Sequence, residues 1–352
     1  MSEARVEPTA GARDLVQMAD RLELATFGLA RERPDLSAHR LLTGWRKLAI
    51  AGAFGVSIAC AAAFPLNAAI AFNLAATAFF LVAIGFRLVL AFIGLREQGS
   101  APSHAQTEDI LPSVTILLPV HDEAEGLPIL ADAIGKIDYP ARKLDIKLLL
   151  ESTDRDTIDE ARRLRLDRLF ECVVVPEGGP KTKPKACNYG LQTARGELIV
   201  IYDAEDAPEP DQLRKAAAAF ARGDPRLACV QARLNFYNAN ENFLTRLFAL
   251  EYALWFDLFL PALERLGMPI PLGGTSNIFR ADILRQVGGW DPFNVTEDAD
   301  LGLRLARFGY RTAILDSTTF EEANCRLPNW IRQRSRWMKG YMQTWLVHMR
   351  AP

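Results

Sequence analysis

The sequence predicts an α/β protein: a mostly parallel sheet covered by helices, preceded by a transmembrane helical hairpin. Three observations carry this expectation. From Ser113 onward, short apolar runs alternate with helical segments in the order βαβαβαβ. The run Leu198-Ile199-Val200-Ile201-Tyr202 leads straight into Asp203-Ala204-Glu205-Asp206 and then Ala207-Pro208, so carboxylates stand at the carboxyl edge of a buried parallel strand. Ahead of these, residues 48–64 and 68–86 are uncharged and apolar, each close to the length that crosses a hydrocarbon core of roughly 30 Å.

In order along the chain, residues 1–47 read as a helical or partly disordered cytoplasmic segment. Leu15, Met18, Leu22 and Leu24 share roughly one helical face, and Pro34 breaks the pattern. The hairpin occupies residues 48–95, with Pro65-Leu66-Asn67 between its two runs. Arg87 would either reach the interface with its long stem or face protein. A pair of buried core helices is the alternative reading of the same runs. Arg40, Arg46 and Lys47 precede the hairpin and Arg96 follows it, whereas its short loop is uncharged. The positive-inside rule then puts both ends in the cytoplasm, as expected for a multi-pass protein of an inner or plasma membrane. A cleaved signal peptide does not fit, because a long polar segment comes first.

Residues 96–112 form a polar linker with Gly99, Ser100, Pro102 and Ser103. The α/β domain is expected over residues 113–325. It opens with a strand at 114–118 ended by Pro119, followed by a helix at 126–136 and a strand at 145–150. A helix at 157–168, a strand at 172–175 and a helix at 185–193 lead to the strand at 198–202. Residues 326–352 read as an amphipathic interfacial helix.

Composition removes several function classes. The net charge of −2 gives no electrostatic case for nucleic acid. A charged fraction of 24% is ordinary for a globular chain, which argues against wholesale disorder. The five cysteines show no CxxC and no disulfide-like spacing, and the four histidines do not cluster, so zinc is not suggested. Neither GxGxxG nor GxxxxGK[ST] occurs.

The polar residues that could carry chemistry stand at strand ends and helix starts. Asp203, Glu205 and Asp206 offer hard oxygen ligands suited to Mg²⁺ or Mn²⁺, usually held together with a substrate phosphate; a solvated acidic turn is the alternative. Asp122 and Glu123 follow the first strand and Glu151 the second, where they could hydrogen-bond a base and ribose or simply cap helices. Lys181, Lys183 and Lys185 lead into a helix, where cations attract diphosphate, or form an exposed basic loop. Glu297 and Asp298 open a helix. There they complement its dipole, or one of them acts as a general base. Gln333, Arg336 and Trp337 fall at i, i+3 and i+4 on one helical face, able to hold a sugar chain and a phosphate or to lie at a membrane surface.

Taken in order, Pro119 to Glu123, Glu151, Lys185, Asp203-Ala204-Glu205-Asp206, Thr296-Glu297-Asp298 and Gln333-Arg334-Ser335-Arg336-Trp337 resemble the processive membrane glycosyltransferases of family 2, such as the cellulose, chitin and hyaluronan synthases. The resemblance covers roughly residues 110–345, and Gly273-Gly274-Thr275-Ser276-Asn277 resembles an acceptor-side segment of that family. It implies a GT-A-type, Rossmann-like nucleotide-sugar domain. It further implies that Asp122, Glu123 and Glu151 bind uridine, Lys185 the diphosphate, and Asp203 with Glu205 the nucleotide and its metal. Asp298, beside Glu297, matches the catalytic base. Gly274 and Thr275 match the acceptor side, and Gln333, Arg336 and Trp337 the growing glycan and diphosphate. The implied reaction inverts a UDP-sugar, UDP-glucose being the first expectation, onto a β-linked polysaccharide.

This sequence departs from the pattern at two positions. Glu205 stands at the second position of the acidic pair with Asp206 beside it, and Glu151 stands where Asp is commoner. The chain stops at Pro352, soon after QxxRW, whereas such synthases continue into further membrane helices. A truncated chain, or helices from partner subunits completing a pore, is therefore expected. The alternatives are a non-processive transferase to a lipid acceptor and a nucleotide-sugar-binding membrane receptor component without catalysis.

Overall fold

The computed structural model describes residues 10–42, 44–96 and 110–350, with side chains from Gln17 onward; most of the expected linker lies outside the described residues. Helix α1 spans Ala10–Glu32, α2 Gly44–Ala63 and α3 Pro65–Arg96. Pro65 has no N–H to give, so it ends one helix and suits the first turn of the next. No residue of α2 is buried, and only Leu90 and Gly94 of α3 are. The two apolar helices are therefore not core helices: both are long and apolar enough to cross a membrane, and nearly all of their described residues are exposed. The far end of α3 does dock. A Cβ on Gly94 would lie 2.2 Å from the Leu258 carbonyl, so only glycine permits that approach.

The sheet has eight strands: β1 (Val114–Val120), β2 (Leu144–Glu151), β3 (Glu171–Val175), β4 (Leu198–Ile201), β5 (Ala207–Pro208), β6 (Leu227–Phe236), β7 (Asn277–Arg280) and β8 (Arg311–Glu321), in the order β3-β2-β1-β4-β7-β6-β8-β5. The first four are parallel, as their continuous apolar runs predict. β7 then runs antiparallel to both β4 and β6, a reversal too short to read in the sequence. β6 pairs β8 in parallel with two register shifts, and β5 is an antiparallel edge on β8.

Pro119 does not end β1. That strand continues on β2 to Val120, while its pairing with β4 stops at Leu117, so the missing proline N–H falls where β4 has already turned away.

Helices cover both faces of the sheet: α4 (Leu127–Gly135), α5 (Arg155–Arg163), α6 (Lys183–Leu191), α7 (Gln212–Arg222), α8 (Phe243–Ala253), α9 (Leu260–Arg265), α10 (Ala281–Gln286), α11 (Glu297–Arg307) and α12 (Leu327–His348). Alternate strand residues feed opposite cores. Leu117, Leu149 and Ile199 pack with α6, α9, α10 and α11, and Ile116, Leu118, Leu148, Leu150 and Val200 with α4, α5 and α7. α5 is shorter than the expected 157–168 because Arg165 adopts a left-handed conformation (φ 52°), and a 3₁₀ turn follows.

The buried face of α1 also differs from the expected one. Ala25, Thr26 and Leu29 are buried, whereas Met18 and Leu24 are 41% and 53% exposed; the Leu15 side chain lies outside the described residues. Of the expected face, Leu22 packs on the core and against Gly178, with Thr26 against Gly179 beside it. The Asn188 and Gln192 side chains of α6 donate to its Ala25 and Arg21 carbonyls.

Candidate active site

The polar residues singled out in the sequence come from loops at the carboxyl ends of β1, β2 and β4 and from the start of α11. β1 delivers His121, Asp122 and Glu123. Asp122 is left-handed (φ 57°), and its N–H donates to Asp154 Oδ2 at 2.7 Å. Asp154 also caps α5 by accepting from Thr157 N, so a buried carboxylate that sequence reasoning passed over sets this loop. His121 lies between Asp122 and Asp154, and the three offer ligand atoms within 4.8 Å of one another.

β2 ends in Glu151, which is buried against Lys185 with Nζ 3.1 Å from its carboxylate. Lys185 itself is fully buried. Expected at a diphosphate, it instead neutralises Glu151, because it lies on the inward face of the first turn of α6. The lysine that faces the strand-end carboxylates is Lys183, two residues earlier. Its Nζ lies 2.5 Å from Asp203 Oδ1 and 2.7 Å from Oδ2, and donates to the Gly274 carbonyl at 2.7 Å. Burial alone would depress this ammonium. The charge of Asp203 and the hydrogen bond to it outweigh burial and hold it above its usual value.

After β4 the acidic cluster divides. Asp206 turns inward, where its Oδ2 accepts from the Asp203 N–H at 2.7 Å and from the Thr275 hydroxyl. Its Oδ1 is buried with no hydrogen-bond partner. Burial, then the Asp203 charge, raises its carboxyl well above the ordinary range. Asp206 therefore braces the loop rather than presenting a ligand face. Thr275, expected at an acceptor, is likewise a buried brace that also donates to the Ile201 carbonyl at 3.0 Å.

Glu205 is exposed and Asp203 partly so. The Glu205 surface is open to solvent, but the protein packed around its carboxyl, then the Asp203 and Glu322 charges, raise it. Burial, then Asp203 and Glu205, pushes Glu123 up to about 7. Glu321, at the end of β8, is raised by burial and then by Asp206, Asp203 and Glu205. These carboxylates thus share one field of negative potential that Lys183 only partly offsets. The oxygen chemistry suits a hard divalent cation, with Glu205 exposed and both Asp203 oxygens held by Lys183, which would have to yield one of them to the ion. Glu321 gave no sequence signal, because it closes a long strand of mixed residues.

α11 begins with Glu297 and Asp298. Burial is the main cause pushing Asp298 up to about 6 and Glu297 to about 8; the Asp298 charge is the second cause for Glu297. Asp298 Oδ1 accepts from the Ala299 N–H at 2.8 Å, and its Oδ2 lies 3.4 Å from where a Gly274 Cβ would stand. Gly274 therefore links the two halves, with its carbonyl on Lys183 and its α-carbon beside Asp298. A recessed carboxylate whose carboxyl is raised to about 6 and which lies in the field of the Lys183 ammonium is equipped to take a proton from a hydroxyl.

α12 carries Gln333, Arg334, Arg336 and Trp337. It is fixed to the loop before α11, where Gln343 accepts from the Val295 N–H, Asn294 donates to Thr344 Oγ1, and Gly340 packs on Thr296. Gln333 accepts from Asn324 Nδ2 at 3.1 Å. Trp337 lies 6.0 Å from Phe248 and 6.4 Å from Tyr252 between ring centroids. Arg334 forms a two-pronged ion pair with Glu251 and stacks over Trp330, Trp337 and Phe248. Arg336 is exposed.

Residues 198–351 match a family model described as Glycosyl transferase family group 2. The probable glycosyltransferase YdaM of Bacillus subtilis is 26% identical over 265 residues, which cover 74% of this chain and 61% of that protein. The probable glucomannan 4-beta-mannosyltransferase 10 of Arabidopsis thaliana is 26% identical over 288 residues, 74% of this chain and 50% of its own length. The chain thus spans about two-fifths to three-fifths of the length of the curated relatives it matches. Among solved structures, the mannosyltransferase PcManGT from Pyrobaculum calidifontis in complex with GDP-Man and Mn²⁺ superimposes with a TM-score of 0.61 at 22% identity, covering 79% of this chain and 75% of that one. That likeness shows the fold, a mixed α/β arrangement of GT-A type.

Proposed function

We propose that this chain, whose residues 198–351 match the Glycosyl transferase family group 2 model, is a membrane-attached transferase that moves a hexose from a nucleoside-diphosphate donor to a glycan hydroxyl with inversion. The observation that carries the reading is the contiguous set Asp203, Lys183, Gly274 and Asp298, which puts an anion-binding cation and a recessed carboxylate side by side. Asp122 and Glu123 face the nucleoside, with Glu151 behind them. Lys183 holds the diphosphate. Asp203 and Glu205 would hold Mg²⁺ or Mn²⁺, which supplies positive charge against the departing diphosphate. Asp298 accepts the acceptor's proton as its oxygen bonds to C1 and the C1–O bond to the diphosphate breaks. Gln333, Arg336 and Trp337 lie toward the glycan. α2 and α3 attach the domain to a membrane, with the site on its cytoplasmic side.

The family resemblance implies a UDP-sugar, UDP-glucose being the first expectation although the sequence does not specify the sugar, and the mannosyltransferases among the relatives make GDP-mannose its competitor. Membranes bearing the chain, offered UDP- and GDP-hexoses with Mn²⁺, are expected to release one nucleoside diphosphate in an acceptor-dependent way. Binding of nucleotide without turnover of any donor would favour the receptor reading. Product length on a gel separates polymer extension from single transfer to a lipid.

A further inference from the structure

A cavity of 670 Å³ opens where α1, the entry to α2 and the end of α12 meet, far along the chain from the strand-end carboxylates. Its lining includes Arg31, Arg40, Arg46 and Arg350, with His39 and Trp45. Asp35 also lines it, and Arg31 is paired with Glu23. Among the described residues, Arg40, Arg46 and Arg350 form no salt bridge with a carboxylate. Arg350 spends its guanidinium on backbone: Nη1 donates to the Pro34, Asp35 and Ser37 carbonyls at 2.9, 3.3 and 3.1 Å, and Nη2 to that of Arg40. Its Nε is buried without a partner. Arg46 in turn donates to the Arg350 carbonyl at 2.9 Å. Burial, then the Arg46 charge, holds the Arg350 guanidinium below its usual value, and the nearby Asp35, Asp291 and Asp300 charges only partly offset this.

The position of this cavity says which anion fits. Trp45, 67% exposed, and Arg46 stand in the first turn of α2, directly before its apolar run. Aromatic and basic side chains at that depth lie level with lipid headgroups. We propose that the cavity binds the phosphate of an anionic phospholipid headgroup, with the acyl chains lying along α2. This rests on the reading of α2 and α3 as membrane helices. Arg350 follows directly on α12, and α12 is fixed to the loop before α11. A bound lipid would therefore tie the N-terminal segment, the membrane anchor and the Asp298 helix into one unit.

The test uses the full chain in phosphatidylcholine nanodiscs with and without phosphatidylglycerol, reading lipid retained after extraction by native mass spectrometry. The parent is expected to keep one phosphatidylglycerol against an excess of phosphatidylcholine. Arg40→Ala with Arg46→Ala should weaken that retention about thirty-fold, taking the usual effect of one interfacial basic residue twice. Lys47→Ala with Arg96→Ala removes equal charge at the anchor's ends but outside the cavity, and should change it less than about threefold on the same scale. Equal losses from both pairs would reduce the effect to a diffuse field and overturn the site. Displacement of the lipid by millimolar glycerol phosphate would assign the cavity to a soluble phosphate and overturn the lipid. A parent that fails to enter neutral nanodiscs would instead overturn the membrane reading, and this inference with it.

Discussion

Exchanging Lys183 and Lys185 one at a time for Met separates two lysines that the sequence makes equivalent. Met keeps the stem and removes the charge. At Lys183 the lost groups are an ion pair to both Asp203 oxygens and a bond to the Gly274 carbonyl, all in a recess where the side chain is 27% exposed. If that ammonium moves onto the donor diphosphate, its loss removes one charge-assisted hydrogen bond, worth about 1.5–3 kcal/mol, or roughly a 10- to 150-fold weaker donor. The Glu123 carboxyl, which Lys183 holds down, should titrate above its present value of about 7.

Lys185→Met acts elsewhere. It strands buried Glu151 without its only ion-pair partner among the described residues, a change that costs about 3–5 kcal/mol of stability. Donor titration and thermal unfolding of both variants decide the matter. Unchanged donor affinity in Lys183→Met, or a donor defect in a fully stable Lys185→Met, would refute the assignment.

Three further outcomes follow from the same geometry. Glu205→Gln should raise the Mn²⁺ concentration needed for half-maximal turnover by about tenfold or more, the scale of one lost charged ligand contact. Asp206→Asn, which keeps one oxygen to accept from Asp203 N and Thr275, should move that requirement far less; metal titrations compare the two. Gly94→Ala forces a Cβ into the Leu258 carbonyl and should lower stability by about 1–3 kcal/mol, read by unfolding in detergent, without altering the pH dependence of turnover.

Much of the fold was legible because its determinants are local. Continuous apolar runs gave the parallel half of the sheet, and the acidic turn after β4 marked its carboxyl edge. The antiparallel β7 was not legible, since four residues fixed by pairing on β4 and β6 leave no periodic trace. Three lysines in one basic loop do not say which of them faces inward. That is decided by where α6 begins, and it begins at Lys183 rather than Lys185. Asp206 read as a metal ligand from its place in the acidic cluster and Thr275 as an acceptor residue from the family resemblance, yet tertiary pairing turns them into each other. Glu321 and Asp154 reach the site from a strand end and a helix cap that carry no motif. The face of α1 was legible only in part: Leu22 packs inward as expected, whereas Ala25, Thr26 and Leu29 rather than Met18 and Leu24 complete it.

The most direct test of the central claim is the pH profile of kcat/KM for the parent and for Asp298→Asn. Burial raises the Asp298 carboxyl from 3.8 to about 6, so the ionised base is lost as pH falls through that value and gained as it rises. The parent should show a rising limb near pH 6. The variant should lose that limb and about 10²- to 10⁴-fold in turnover, while donor binding persists. Turnover retained in Asp298→Asn, or a limb that survives the substitution, would contradict the account.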